Sequence, residues 1–282
     1  MLFLLFACSS APQRPVEMRS LRNLGESQLD IANQEMDQSN YDTALMMLED
    51  TWRIAVSSDD PSLRIRTGLS LGNVYFSLGR REDAYAAWKS ALEETGGAGE
   101  LYAVCLVYIA RADLLSVRTA AEDTAAAPDL ETTAQQVRLE AVRAVEIIKD
   151  RLYTAFAWMV IAMADKELGN YKEAENSARR ALSIHEKARY LEQAAFDWYF
   201  IASVRSVAGN YEGAVQALTE AIKFDRRAEN TYGLAVDWRA LGEVYEKTGQ
   251  TDASEAARRR SADIFRSMGE AGTAEEESRA RQ

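Results

Sequence analysis

Trp158, Trp198 and Trp238 stand forty residues apart, and each is followed three and four residues later by an aliphatic and then a small residue: Ile161 and Ala162, Ile201 and Ala202, Leu241 and Gly242. A second series keeps the same step. Gly169, Gly209 and Gly249 each lie eleven residues after their tryptophan, with Ala174, Ala214 and Ser254 five further on. Two phased series at one period mark a stack of identical supersecondary units, each unable to bury its apolar face alone. The chain must therefore close its core between neighbouring units, which restricts it to a repeat array.

The same grammar extends upstream. Leu71, Gly72, Tyr75, Gly79, Ala84, Trp88 and Ala91 form a strong unit, and Ile31, Ala32, Tyr41, Ala44 and Leu48 a weaker first one. Between these and the tryptophan series the spacing is ninety rather than eighty. One further unit with ten inserted residues accounts for this: a first helix around 101–115, a loop through 119–129, and a second helix from about Glu131 to Ile148 with Ala134 and Ala141 in phase. The expected organisation is a tether over 1–20, a solenoid over 21–268 with the insertion near 118–130, and a charged tail over 269–282.

These motifs resemble the tetratricopeptide repeat family. Trp158, Ala162, Gly169, Tyr171, Ala174 and Ala181 fill its pattern in one unit, and Trp198, Ala202, Gly209, Tyr211, Ala214 and Ala221 in the next. The last unit keeps Trp238, Leu241, Gly242, Tyr245 and Gly249, then carries Ser254, Arg258 and Ser261 where apolar residues are expected, as suits a terminal unit with a polar outer face. The resemblance implies an all-α, right-handed superhelical solenoid of about six helical hairpins. The departure is the period, forty against the family's common 34 residues, which implies longer hairpins.

The physical reading agrees. Leu191, Ala194, Ala195, Trp198, Ile201 and Ala202 recur at helical spacing, and no stretch sustains a period of two. Pro12, Pro15, Pro61 and Pro128 all lie outside the expected helices, Pro61 directly after Asp59 and Asp60 at a helix start. The Gly169-Asn170, Gly209-Asn210 and Gly249-Gln250 pairs read as helix C-caps, where glycine takes the left-handed conformation cheaply. The three phased tryptophans read as equivalent packing residues at hairpin starts, each worth ~3–5 kcal/mol against alanine if fully buried.

A net charge of −11 argues against a nucleic-acid partner, since such proteins present a basic face. The one basic run, Arg258 to Arg260, reads as a solvated helix face. Cys105 reads as a small buried hydrophobe, and His185, the only histidine, gives almost no metal signal. Gly96, Gly97 and Gly99 lack the Lys-Ser or Lys-Thr pair and the preceding strand of a phosphate loop, so they read as a turn. With no nucleophile elbow, zinc-protease helix or dinucleotide fingerprint, the expectation is a protein that is not an enzyme and takes neither cofactor nor metal.

The N-terminus carries a separate signal. An apolar run from Met1 to Ala7 precedes Cys8 and a polar, proline-punctuated stretch. It resembles a bacterial lipoprotein signal, with Leu5 three before the cysteine and the small Ala7 directly before it, while the bulky Phe6 and the absence of a preceding Lys or Arg depart from the pattern. Seven apolar residues cannot span a bilayer core that needs ~20. The implied lipidation at Cys8 would hold the solenoid at a membrane surface in the cell envelope, facing the periplasm or the exterior.

In stacked hairpins the first helix of each unit lines the concave side. Asn33, Leu69, Asn73, Phe156, Met159, Met163, Tyr199 and Arg239 are the candidate partner-binding residues on that side. In similar repeats an asparagine placed as Asn33 and Asn73 are holds the backbone of an extended peptide, its amide offering donor and acceptor. The competing readings are two solvated asparagines, and interhelix packing for the methionines and aromatics. The leading function is a lipid-anchored scaffold for a protein or peptide partner. The alternative is an accessory ligand-binding lipoprotein of a periplasmic solute transporter of the tripartite kind.

Overall fold

A computed structural model describes residues 20–38, 40–123 and 129–268. Among the described residues the chain forms twelve helices, paired in sequence as six hairpins. These are α1 (Ser20–Asp37) with α2 (Tyr41–Ser57), α3 (Pro61–Ser77) with α4 (Arg81–Glu94), and α5 (Glu100–Asp123) with α6 (Leu130–Ile147). There follow α7 (Arg151–Glu167) with α8 (Tyr171–Ala188), α9 (Leu191–Val207) with α10 (Tyr211–Ala228), and α11 (Thr231–Lys247) with α12 (Thr251–Ser267). Each helix packs on the next, and successive first helices also touch, as α1 on α3, α3 on α5, α5 on α7 and α9 on α11. The result is an all-α, right-handed superhelical solenoid.

Local chemistry sets the turns. Gly79, Gly169, Gly209 and Gly249 take φ of 73°, 73°, 80° and 71°, the left-handed values that end a helix and reverse the chain. The amide of the next residue then reaches back to a carbonyl five earlier, as Asn170 N to Asp165 O at 2.8 Å and Gln250 N to Tyr245 O at 2.9 Å. Hairpins begin on acceptors: Asp60 takes the Leu63 amide with Pro61 at the first turn, and Asp150 takes those of Leu152 and Tyr153.

The core is built on alanine. Ala162, Ala174, Ala181, Ala214 and Ala221 are all 0% exposed. Helices approach where these side chains meet, and leucine at 174 or 214 would overpack by ~1–3 kcal/mol. In the last hairpin, serines keep the small size and satisfy their hydroxyls. Ser254 Oγ donates to Gly242 O at 2.8 Å and Ser261 Oγ to Ala235 O at 2.7 Å.

Two expectations change. The inserted residues mostly lengthen a helix rather than form a loop: α5 runs on to Asp123, and only 124–128 of the expected loop lie outside the described residues. The phased tryptophans are equivalent, at the eighth position of α7, α9 and α11, but they are half-buried rather than enclosed. Each has an arginine on its ring, Arg180 over Trp158 at 4.3 Å, Arg179 over Trp198 at 5.7 Å and Arg260 over Trp238 at 4.7 Å. The fully buried tryptophan is Trp88, in a second helix, whose Nε1 donates to Leu69 O at 3.1 Å. Gly72 makes room for it, since a Cβ there would lie 2.1 Å from that nitrogen.

Candidate partner-binding face

The first helices α1, α3, α5, α7 and α9 contribute a strip of side chains that runs over five of the six hairpins. Asp37 ends α1, Asn73 follows on α3, Tyr108 and Arg111 on α5, Tyr153 and Phe156 on α7, and Gln193 at the start of α9. The Asn73 amide lies against the Tyr108 hydroxyl. Tyr108 stacks on Phe156 with centroids 4.2 Å apart and planes at 24°. The two ends of the strip meet: Gln193 Nε2 donates to Asp37 Oδ2 at 2.9 Å, a bond between the first and fifth hairpins. Burial pushes the Asp37 carboxyl up to about 6, with the charge of Glu192 adding to the shift and the Gln193 bond opposing it.

The candidate residues divide by burial. Asn33 and Asn73 are both half-buried, but they are used differently. Asn33 Oδ1 accepts from Ser70 Oγ at 2.7 Å, whereas Asn73 Oδ1 is buried without a hydrogen-bond partner. Leu69 at 2% and Met159 at 6% exposure are core residues with no surface left for a partner. Phe156, Met163 and Tyr199 pack against the core with part of each side chain open. Arg239 is half-buried and stands over the Phe265 ring at 5.9 Å, toward the second helix of its own hairpin. Cys8 lies outside the described residues.

Tyr108, Arg111, Asp37 and Gln193 leave no repeat signal in the sequence, because they step diagonally across successive helices and share no forty-residue phase. The buried ionisable pairs at the hairpin junctions do have such a signal. His185 and Asp197, twelve residues apart, recur forty later as Asp225 and Asp237. His185 Nδ1 lies 2.6 Å from Asp197 Oδ2, and burial pushes that carboxyl up to about 6 against the opposing His185 bond. Cys105 is 0% exposed, and Arg258 to Arg260 are exposed, as the sequence suggested.

Residues 159–189, spanning the second half of α7 and all of α8, match the family model described as Tetratricopeptide repeat. The fourth hairpin thus carries a tetratricopeptide repeat. The array is similar in fold to BtubC (BKLC) from P. vanneervenii, at TM-score 0.58 and 16% identity over 87% of this chain and 92% of that one. It is also similar to the thermophilic tetratricopeptide-repeat protein TTC0263 of Thermus thermophilus, at TM-score 0.52 and 16% identity over 74% and 98%. A third likeness is to a Rap protein complexed with Competence and Sporulation Factor, at TM-score 0.57 and 16% identity over 86% and 75%. No curated protein sequence matches the chain. A tetratricopeptide-repeat array is a scaffold for protein–protein interaction.

Proposed function

We propose that this protein is a non-catalytic scaffold whose first-helix face is the concave groove for a protein or peptide partner, held at the bacterial envelope by an acylated Cys8. The observation that carries the reading is the half-buried row Asn73, Phe156, Met163 and Tyr199, which offers amide, aromatic and thioether groups on a preformed surface. Methionines and aromatics on such a surface favour adaptable recognition at low ordering cost. The anchoring part rests on Leu5, Ala7 and Cys8 in the sequence.

Crosslinking capture from membranes tests the groove. Met163→Glu with Tyr199→Glu places two charges on the row and should weaken capture by tenfold or more while the array stays folded. Lys172→Glu, on an exposed position of α8, is the control. Loss of capture in the control with retention in the double variant would move the binding face to the second helices. Intact mass of membrane-extracted protein tests the anchor: the expected species begins at a lipidated Cys8, and an unmodified chain from Met1 refutes it.

The accessory ligand-binding reading has one observation in its favour, the Asp37 to Gln193 bond that draws the ends of the strip together. A solute site needs such enclosure, and an open groove does not.

A further inference from the structure

Arg111 has no carboxylate within 4.0 Å and no hydrogen-bond partner among the described residues. Shortage of acids does not explain this, because the chain carries 44 Asp and Glu against 33 Lys and Arg. Neighbouring cations find them: Arg66 pairs with Glu26, Arg118 with Glu167 at 3.8 Å, and Arg138 with Asp165 at 2.7 Å. Arg111 is half-buried, and burial holds its guanidinium below the usual arginine range. A half-buried guanidinium gives up part of its hydration, and a counter-charge normally makes that loss good. Its surroundings do not supply one. Tyr108 is beside it, Arg118 adds like charge, and Asp37 lies toward Tyr108 with its carboxylate held by Gln193. Lys166 of α7, within electrostatic range of Arg118, is also half-buried, and it reaches the Ser203 hydroxyl at 2.8 Å and the Phe200 ring at 5.6 Å.

We propose that Arg111 is the anchor of a subsite for a compact organic acid, a single carboxylate carried on an apolar body. The guanidinium fork matches a carboxylate with two parallel N–H···O bonds. The stacked rings of Tyr108 and Phe156 form an apolar wall beside it. Asn73 Oδ1, buried and unpartnered, leaves one acceptor for a hydroxyl or N–H on the ligand. The Asp37 to Gln193 bond links the two ends of the strip, which favours a compact molecule over a long chain. The subsite stands whether or not the groove takes a protein partner.

Calorimetric titration of the full chain with 3-phenylpropionate, 3-phenylpropanamide and the tripeptide acetyl-Ala-Ala-Phe as its free acid tests the assignment. The acid should bind, the neutral amide at least tenfold more weakly, and Arg111→Gln should weaken the acid at least tenfold while leaving the amide unchanged. Arg111→Lys keeps the charge without the fork and should retain part of the affinity. If Arg111→Gln does not fold, the acid and amide arms on the unaltered chain and on Arg111→Lys still decide. Equal affinity for acid and amide, or no binding of either, overturns the subsite. Tighter binding of the tripeptide than of the small acid overturns the compact ligand and gives the carboxylate site to a peptide terminus.

Discussion

The junctions between the fourth and fifth hairpins and between the fifth and sixth occupy the same places in the repeat, yet they solve burial differently. Position fifteen of the second helix and position seven of the next first helix are His185 and Asp197 in one, Asp225 and Asp237 in the other. Earlier in the chain the same phase of the repeat holds Ala55 with Thr67 and Val145 with Ala157. Asp197, Asp225 and Asp237 are 1%, 3% and 2% exposed, so the repeat fixes burial and leaves the chemistry to the residue. A base and an acid can satisfy each other with one hydrogen bond, here at 2.6 Å. Two acids so close do not both ionise: burial pushes both Asp225 and Asp237 above the usual carboxylate range, with Glu192 adding to Asp225 and the nearby Asp225 adding to Asp237, while Asn230 steadies Asp225 with an Nδ2 to Oδ1 bond of 3.0 Å.

The largest expected effect breaks the first junction. His185→Ala leaves Asp197 buried without its partner, which should cost about 3–5 kcal/mol in urea unfolding at pH 8. The cost should shrink toward pH 5, where the stranded carboxyl takes up a proton. A loss under about 1 kcal/mol at pH 8 would show that the pair does not hold the junction.

The second junction should respond in the opposite sense. Carboxyls whose folded values are raised lend stability that is complete below the unfolded value near 3.8 and is lost as pH rises through their folded range. Asp237→Asn removes one of the two titrations and lets an amide donate to Asp225, so it should stabilise by about 1–3 kcal/mol at pH 8.5, the gain falling as pH drops toward 4. Unfolding measured across that range checks it. A pH-independent difference, or destabilisation at pH 8.5, would mean that the two carboxyls do not compete for a proton.

Backbone space separates the junctions too. A Cβ on Gly233 would lie 2.2 Å from Asp225 Oδ2 and 2.4 Å from Asn230 Nδ2, while the matching place one repeat earlier is Gln193, which already has a side chain. Gly233→Ala should therefore lower stability by about 1–2 kcal/mol through overpacking against the acid. Restoration of the loss by Asp225→Ala in the same chain would place the clash where the structure has it.

How much of this is legible in the sequence follows from what periodicity can report. The forty-residue step locates all six hairpins, and the glycine and alanine series mark turns and crossings, because those places demand a conformation or a size. The insertion departs from the expected loop at 119–123 because its alanines continue a helix as readily as they leave one. The tryptophans are less enclosed than their spacing suggests because a bulky side chain at a repeat position can pack at the edge of the core with a neighbour's arginine on its ring, as Trp198 does beneath Arg179. Of the candidate face, Asn73, Phe156, Met163 and Tyr199 keep part of their surface open, while Leu69 and Met159 are enclosed. Arg111 escapes a reading of the sequence because an unpaired cation is a statement about what lies around it, which no spacing records.

The smallest effect expected concerns Gln193 itself, the residue that stands where the last junction has Gly233. Its amide makes one bond, to Asp37, and both ends are partly open to solvent, so Gln193→Ala should cost only about 0.5–1 kcal/mol. The informative readout is the Asp37 carboxyl. Burial and Glu192 raise it and Gln193 alone opposes them, so removing the amide should move its titration further up from about 6, followed by carboxyl NMR. Between the unfolded value of 3.8 and the folded one, stability from this group falls as pH rises, and the variant should extend that fall to higher pH. An Asp37 that titrates unchanged in Gln193→Ala would mean that the first and fifth hairpins do not meet in solution, and a compact ligand at Arg111 would then lose its enclosure.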